Sequence, residues 1–142
     1  MDFIKKTTLF IYTTRKLFPE EERFGLISQM RRAAISVCSN FAEGNAKKSG
    51  KEKARYTEIS YCSLMELLNQ AIISHELNYL DDKAMKKIRD MIDEIANKAS
   101  KLKDYQLSLH NHITLNIKHL TFNIRKNFLN TPSIEYLRRT KI

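Results

Sequence analysis

Apolar residues recur at three- and four-residue intervals over most of the chain, the spacing that lines one face of an α-helix, and four such segments can be traced. The first covers residues 2–18. Phe3, Thr7, Phe10, Thr14 and Leu17 form one stripe, and Ile4, Ile11 and Phe18 recur every seven residues beside it. Pro19 then opens a second segment and is followed by Glu20, Glu21 and Glu22. Proline at a first helical position gives up only an amide that has no partner there, and carboxylates suit the positive end of the helix dipole. This second helix is expected over 19–43, with Ile27, Met30, Ala34, Val37 and Phe41 spaced 3-4-3-4. Ala33, Ala34, Ser36, Ser39 and Ala42 are small enough to let a neighbour approach closely. Gly44 is expected to end the helix in the left-handed conformation.

Ser49-Gly50-Lys51-Glu52 reads as a capping box that starts a third helix. The helix should run to about 78, and its wide apolar arc (Tyr56, Ile59, Leu64, Leu67, Leu68, Ala71, Ile72) calls for more than one partner helix. Asp81 or Asp82 caps a fourth segment. There Met85, Ile88, Ile92, Ile95, Ala99 and Leu102 follow an unbroken 3-4-3-4-3 pattern. The connections near 18–19, 44–49 and 79–81 are short, so neighbouring helices should run antiparallel. The expected fold is all-α, an up-down antiparallel four-helix bundle over residues 1–109. Residues 110–142 read as a basic C-terminal appendage. Ile113, Leu115, Ile117, Leu120, Phe122 and Ile124 alternate as a strand would, while Ile113, Ile117, Leu120, Ile124 and Phe128 keep a helical spacing. The two periods leave helix and strand both open.

Composition narrows the function classes. Gly and Pro number 3 and 2, too few for the turns of an all-β fold. Neither a GxGxxG run nor a lysine-bearing phosphate loop occurs. No apolar run approaches the ~20 residues of a membrane span, and no signal peptide is read. Cys38 and Cys62 make no disulfide framework, so free thiols and a cytoplasmic setting are expected. His110, His112 and His119 lack the company of cysteine or clustered carboxylates and read as ordinary polar histidines. No metal or cofactor is expected. Both cysteines are expected on packing faces. A nucleophile pair using His75 would need an orienting group and an oxyanion site, and the sequence shows neither. The chain is therefore expected to be no enzyme.

The charge is the main functional signal. Lys and Arg total 25 against 16 Asp and Glu, a formal net charge of +9. Such a surplus draws polyanions. It is unevenly spread, since residues 110–142 hold six cations and only Glu135 as an acid. Lys47, Lys48, Lys51, Lys53 and Arg55 face only Glu52 around the start of the third helix, where they either follow a phosphate backbone or form a solvated cap. Lys118, Arg125, Lys126, Arg138, Arg139 and Lys141 are interleaved with Phe122, Phe128 and Tyr136, a pattern suited to single-stranded nucleic acid or to a basic extension without a partner. Arg31 and Arg32 point about 100° apart on one helix. One can meet RNA, or pair with Glu43 or Glu66 across the bundle.

The run Ser28-Gln29-Met30-Arg31-Arg32-Ala33-Ala34-Ile35-Ser36-Val37-Cys38-Ser39-Asn40-Phe41-Ala42-Glu43-Gly44 resembles the signature of the four-helix-bundle proteins encoded within intervening sequences of bacterial 23S rRNA genes. Those proteins look like relatives of the accessory variability determinant of diversity-generating retroelements. Phe18–Leu26 and Ser63-Leu64-Met65-Glu66-Leu67 resemble other parts of the family pattern, and the likeness covers roughly residues 5–105. Cys38 stands where the pattern tends to have proline and Cys62 where it tends to have glycine, so the second helix's kink and its approach to the third are expected to differ. The resemblance implies a ring-shaped homopentamer with a basic surface and no catalytic residues. In the retroelement relatives it implies a partnership with a reverse transcriptase and its RNA. With the charge, the expected partner is RNA or a DNA/RNA hybrid, held mainly through its backbone. The alternative is an accessory that docks on a reverse transcriptase, or a structural protein that binds no nucleic acid directly.

Overall fold

The computed structural model describes residues 2–129, with side chains over 4–123. Helix α1 spans Asp2–Thr13, α2 Leu26–Ala46, α3 Gly50–Glu76 and α4 Asp82–Leu129, and two short 3-10 turns, Thr14–Leu17 and Glu20–Arg23, join α1 to α2. The described residues are all-helical, with four helices and no strand. By its internal contacts the chain divides into residues 1–107 and 108–142.

In the first unit each helix runs antiparallel to its neighbours, because paired positions fall along one helix as they rise along the other. Thr8 Oγ1 donates to the Ala34 carbonyl at 3.2 Å, while Tyr12 stacks under Arg31. Tyr56 packs at Gly44, Ser60 Oγ donates to the Val37 carbonyl at 2.7 Å, and Ser74 reaches Met30. Thr57 meets Gln106, and His75 meets Asp82. The core gathers Ile11, Met30, Val37, Leu64, Leu67, Ile88, Ile92 and Ile95 from all four helices. The expected stripe of α4 is buried from Met85 through Ala99, with Leu102 partly so. The five stripe positions of α2 are buried as well. Of the small residues of α2, Ser36 meets Ser63 hydroxyl to hydroxyl at 2.8 Å, whereas Ser39 and Ala42 are exposed.

Several boundaries differ from expectation for identifiable reasons. α1 stops at Thr13, where the Thr13 and Thr14 hydroxyls donate to the Phe10 and Ile11 carbonyls, each at 2.7 Å. Hydroxyls placed this way compete with the helix ladder. Pro19 and its three glutamates begin a 3-10 turn rather than α2. Glu22 still serves α2, its carboxylate accepting from the Leu26 amide at 2.6 Å, as a cap would. Gly44 does not terminate α2. It lies buried within the helix, and no glycine among the described residues has positive φ. A Cβ there would stand 2.8 Å from the Tyr56 Cβ. The glycine therefore permits close approach of α2 and α3. The left-handed position falls at Asn78, with a φ of 61°. Asparagine just after a helix end, here that of α3, tolerates this conformation. Ser49 caps α3 as expected, accepting from the Glu52 amide at 3.1 Å, but its hydroxyl then donates to the Glu52 carboxylate at 3.0 Å instead of the carboxylate turning back to the Ser49 amide. Asp81 caps α4 through the Ala84 amide at 2.7 Å.

In the second unit, residues 108–129 are helical, which resolves the two competing periods. Thr114 and Thr121 place their hydroxyls on the carbonyls of His110 and Ile117, four residues back.

Candidate nucleic-acid interface

The α2–α3 connection is three residues long, Lys47 to Ser49, so the cations on either side of it share one end of the bundle. Lys47 is not free for a ligand. Its Nζ lies 3.1 Å from Glu43 Oε1 and 4.6 Å above the Tyr56 ring. The same carboxylate oxygen accepts from Tyr56 Oη at 2.6 Å. The Tyr56 hydrogen bond, with that of Lys47, lowers the Glu43 pKa below the ordinary carboxylate range. The Glu43 and Tyr56 hydrogen bonds raise that of Lys47. Lys48, Lys51 and Arg55 are exposed and Lys53 is half-buried. None of the four has a carboxylate partner among the described residues. Glu52 is held by Ser49 instead.

Arg31 and Arg32 part company. Arg32 is exposed and Arg31 half-buried, with its guanidinium carbon 4.2 Å over the Tyr12 ring and its buried Nε without a hydrogen-bond partner. The cross-bundle pairing weighed for them is overturned, since Glu43 serves Lys47 and Tyr56, and Glu66 accepts from Gln70 at 3.0 Å. Lys118 is exposed on α4. Arg125 and Lys126 lie in α4 beyond the described side chains, and Arg138, Arg139 and Lys141 fall outside the described residues.

At the other end of the bundle lies a cleft of about 730 Å³ that sequence reasoning missed. Arg15, Lys16 and Arg23 line it together with Tyr12, Phe18 and Glu20. Arg23 sits 4.0 Å from Glu20 and 5.5 Å from the ring centroid of Phe24, which is itself exposed. These cations converge only because two 3-10 turns fold the chain back on itself, and no periodicity signals that. A third basic stretch, Lys83, Lys86 and Lys87, lies on α4, where Lys87 Nζ stands 4.1 Å over the Phe10 ring and Asp90 and Glu94 are adjacent.

The candidate nucleophiles are occupied or isolated. Cys38 is half-buried, 3.2 Å from Thr8 Oγ1, whereas Cys62 is exposed and not on a packing face as expected. The glycine-mediated approach of α2 to α3 falls at Gly44, away from Cys62. His75 bonds to Asp82 at 2.8 Å. It sits thirteen residues from Cys62 on one helix, roughly 20 Å away at about 1.5 Å per residue. Among the described residues no cluster of three or more metal-ligating side chains occurs, and no helix is long and apolar enough to cross a membrane.

No curated protein matches the chain. The sequence profile described as 23S rRNA-intervening sequence protein matches residues 4–101, the four-helix portion that carries the α2–α3 turn and the basic cleft. The chain therefore belongs to the 23S rRNA-intervening sequence protein family.

Proposed function

We propose that the protein is a non-enzymatic, cytoplasmic RNA-binding bundle that holds RNA, or a DNA/RNA hybrid, by its backbone charge. The observation that carries this is the α2–α3 turn, where Lys48, Lys51, Lys53 and Arg55 have no carboxylate partner among the described residues at the start of a helix. Unpaired cations at a helix N-terminus suit phosphate groups. Arg32, the cleft cations and Lys118 extend the same chemistry. The serine hydroxyls of α2 and α3 support the non-enzymatic reading, because Ser36, Ser60, Ser63 and Ser74 spend them on helix packing.

The chain acts as a homo-oligomer in this reading, a ring of five as the family resemblance implies. Exposed Ile35, Ile59 and Ile73 on α2 and α3 offer apolar area for contact between copies. Repetition multiplies weak phosphate contacts, since each binding event after the first is effectively intramolecular. Solution mass checks the assembly, with about five times 16.7 kDa expected.

The test is salt. RNA affinity should fall linearly on a log–log plot, with a slope of about 0.7 per phosphate neutralised on a single strand. Changing Lys48, Lys51, Lys53 and Arg55 to Gln together should shallow that slope by about 2–3 units. Lys47→Gln should leave it nearly unchanged. An unaltered slope in the quadruple variant removes the turn from the interface. If the wild-type protein ignores both RNA and DNA in dilute buffer, docking on a nucleic-acid enzyme such as a reverse transcriptase takes the place of this reading.

A further inference from the structure

The cleft at the far end of the bundle differs in kind from the α2–α3 turn. The turn offers exposed cations around a helix start, and its ring, Tyr56, is committed to Lys47 and Glu43. The cleft is a hollow of about 730 Å³ in which Arg15, Lys16 and Arg23 share the lining with the rings of Tyr12 and Phe18. That size falls within the roughly 300–1,000 Å³ of pockets that enclose a small organic ligand. Both rings are braced. Arg31 lies 4.2 Å from the Tyr12 centroid and adds a fourth cation without itself lining the cleft. Phe18 packs on Tyr79, with ring centroids 5.5 Å apart and planes tilted by 53°. A third ring stands beside the Arg23 guanidinium. It belongs to Phe24, which is 84 % exposed, more than any other large apolar side chain among the described residues. Glu20 is the one acid of the lining among the described residues, and its 4.0 Å pair with Arg23 joins two exposed side chains. Such a pair is weak. Three cations against one carboxylate leave the cleft positive.

We propose that this cleft receives an unpaired nucleotide of the bound strand, its base on the aromatic rings and its phosphates among the cations, so that the bundle prefers single-stranded RNA to a duplex. This rests on the RNA-binding reading above, in which the turn supplies most of the attraction. Phosphates alone give no reason for rings among the cations, because a phosphate gains from charge and not from an aromatic face. An unpaired base has a free face, and its stacking on Tyr or Phe tolerates any sequence. In a duplex that face is closed by the neighbouring bases. A duplex presents a rod of phosphates, which an exposed turn can follow but a hollow cannot take in. Glu20 suits the same occupant, since a carboxylate repels a phosphate and accepts from the amino group of a base.

The test uses the full chain and one short RNA sequence, as a single strand and as a blunt duplex. The single strand should bind tighter by about fivefold or more, the lower end of what one stacked base contributes. Tyr12→Leu should remove most of that preference and leave duplex affinity within about twofold, and Tyr12→Phe should restore it, because the ring and not the hydroxyl meets the base. Phe24 is so exposed that Phe24→Leu leaves the fold intact, and it should reduce the preference in the same direction. Arg15→Gln with Lys16→Gln should shallow the single-strand salt slope by about 1–1.5 units. Equal affinity for the two forms, with a slope that still depends on the turn cations, overturns the cleft inference and spares the RNA reading. A preference that survives Tyr12→Leu and Phe24→Leu together overturns it as well. Adenosine monophosphate binding as tightly as the strand overturns the strand as the source and assigns the cleft to free nucleotides. Failure to bind either form of RNA in dilute buffer overturns both readings.

Discussion

Gly44→Ala sets two opposing effects against each other at the tightest point of the α2–α3 contact. Gly44 lies inside α2. Alanine is the better helix former by about 0.8–1.0 kcal/mol, so helix propensity alone predicts stabilisation. The new methyl, however, would meet the Tyr56 Cβ at 2.8 Å, with the Lys53 carbonyl at 3.5 Å. The Tyr56 Cβ is anchored to the backbone, so relief requires α3 to move away from α2, and overpacking of this kind costs about 1–3 kcal/mol. The net expectation is a loss of about 0–2 kcal/mol, read as a lower urea midpoint by circular dichroism. A terminal left-handed glycine would also be damaged by alanine, so the direction alone does not decide the cause. A double-mutant cycle with Tyr56→Gly does, since it removes the Cβ that the new methyl would meet and part of the loss should be recovered, whereas backbone strain at residue 44 would be indifferent to Tyr56. A Gly44→Ala protein more stable than wild type, or additive with Tyr56→Gly, would refute the close-approach argument.

Ile92 is fully buried in the α4 seam. Ile92→Asp should cost about 3–5 kcal/mol or more through an unpaired buried carboxylate, erasing the cooperative thermal transition; a wild-type melting curve would displace α4 from the core. Thr57 donates to Gln106 Oε1 at 2.9 Å between two buried side chains. Thr57→Val should therefore lose about 1–3 kcal/mol in urea unfolding, and adding Gln106→Leu should recover most of it. The Glu43 carboxyl is held down by its hydrogen bonds to Tyr56 and Lys47. It should titrate by NMR below the ~4.3 of a free glutamate, and Tyr56→Phe should move its midpoint upward. Because the folded value is the lower one, the stabilisation from this group is present above the unfolded pKa and fades as pH falls through the folded one. A midpoint indifferent to Tyr56→Phe would break the cluster apart.

The seams of α2 and α4 were legible because every member of each stripe faces one core, so spacing and burial carry the same information. Gly44 was misread for a physical reason. A glycine near a helix end is the same letter whether it supplies a left-handed turn or room for a neighbour, and only the position of Tyr56, twelve residues on, tells them apart. The helix beyond residue 110 was ambiguous because a duplicated heptad with apolar residues at its first, third and fifth places alternates like a strand while keeping a helical seam. The end of α1 and the basic cleft were illegible, since hydroxyls competing for carbonyls and two 3-10 turns leave no period to read.

Pairing, more than net charge, separates the cations open to a phosphate from those already held. Lys47, the first cation of the turn cluster, is committed to Glu43 and Tyr56, and Lys98 and Lys103 are likewise held by Glu94 and Glu58. A cation already paired gains little from a phosphate, because the new contact must first replace the old one. An unpaired cation on the same surface keeps its full attraction and releases bound counterions on contact. Among the described residues Lys48, Lys51, Lys53 and Arg55 satisfy that condition at one end of the bundle, whereas at the other end Arg15 and Lys16 do so beside an Arg23–Glu20 pair 4.0 Å apart. A strand long enough to reach both ends of one bundle would therefore be held mainly at the α2–α3 turn, and neutralising the cleft cations should change its salt dependence less than neutralising the turn.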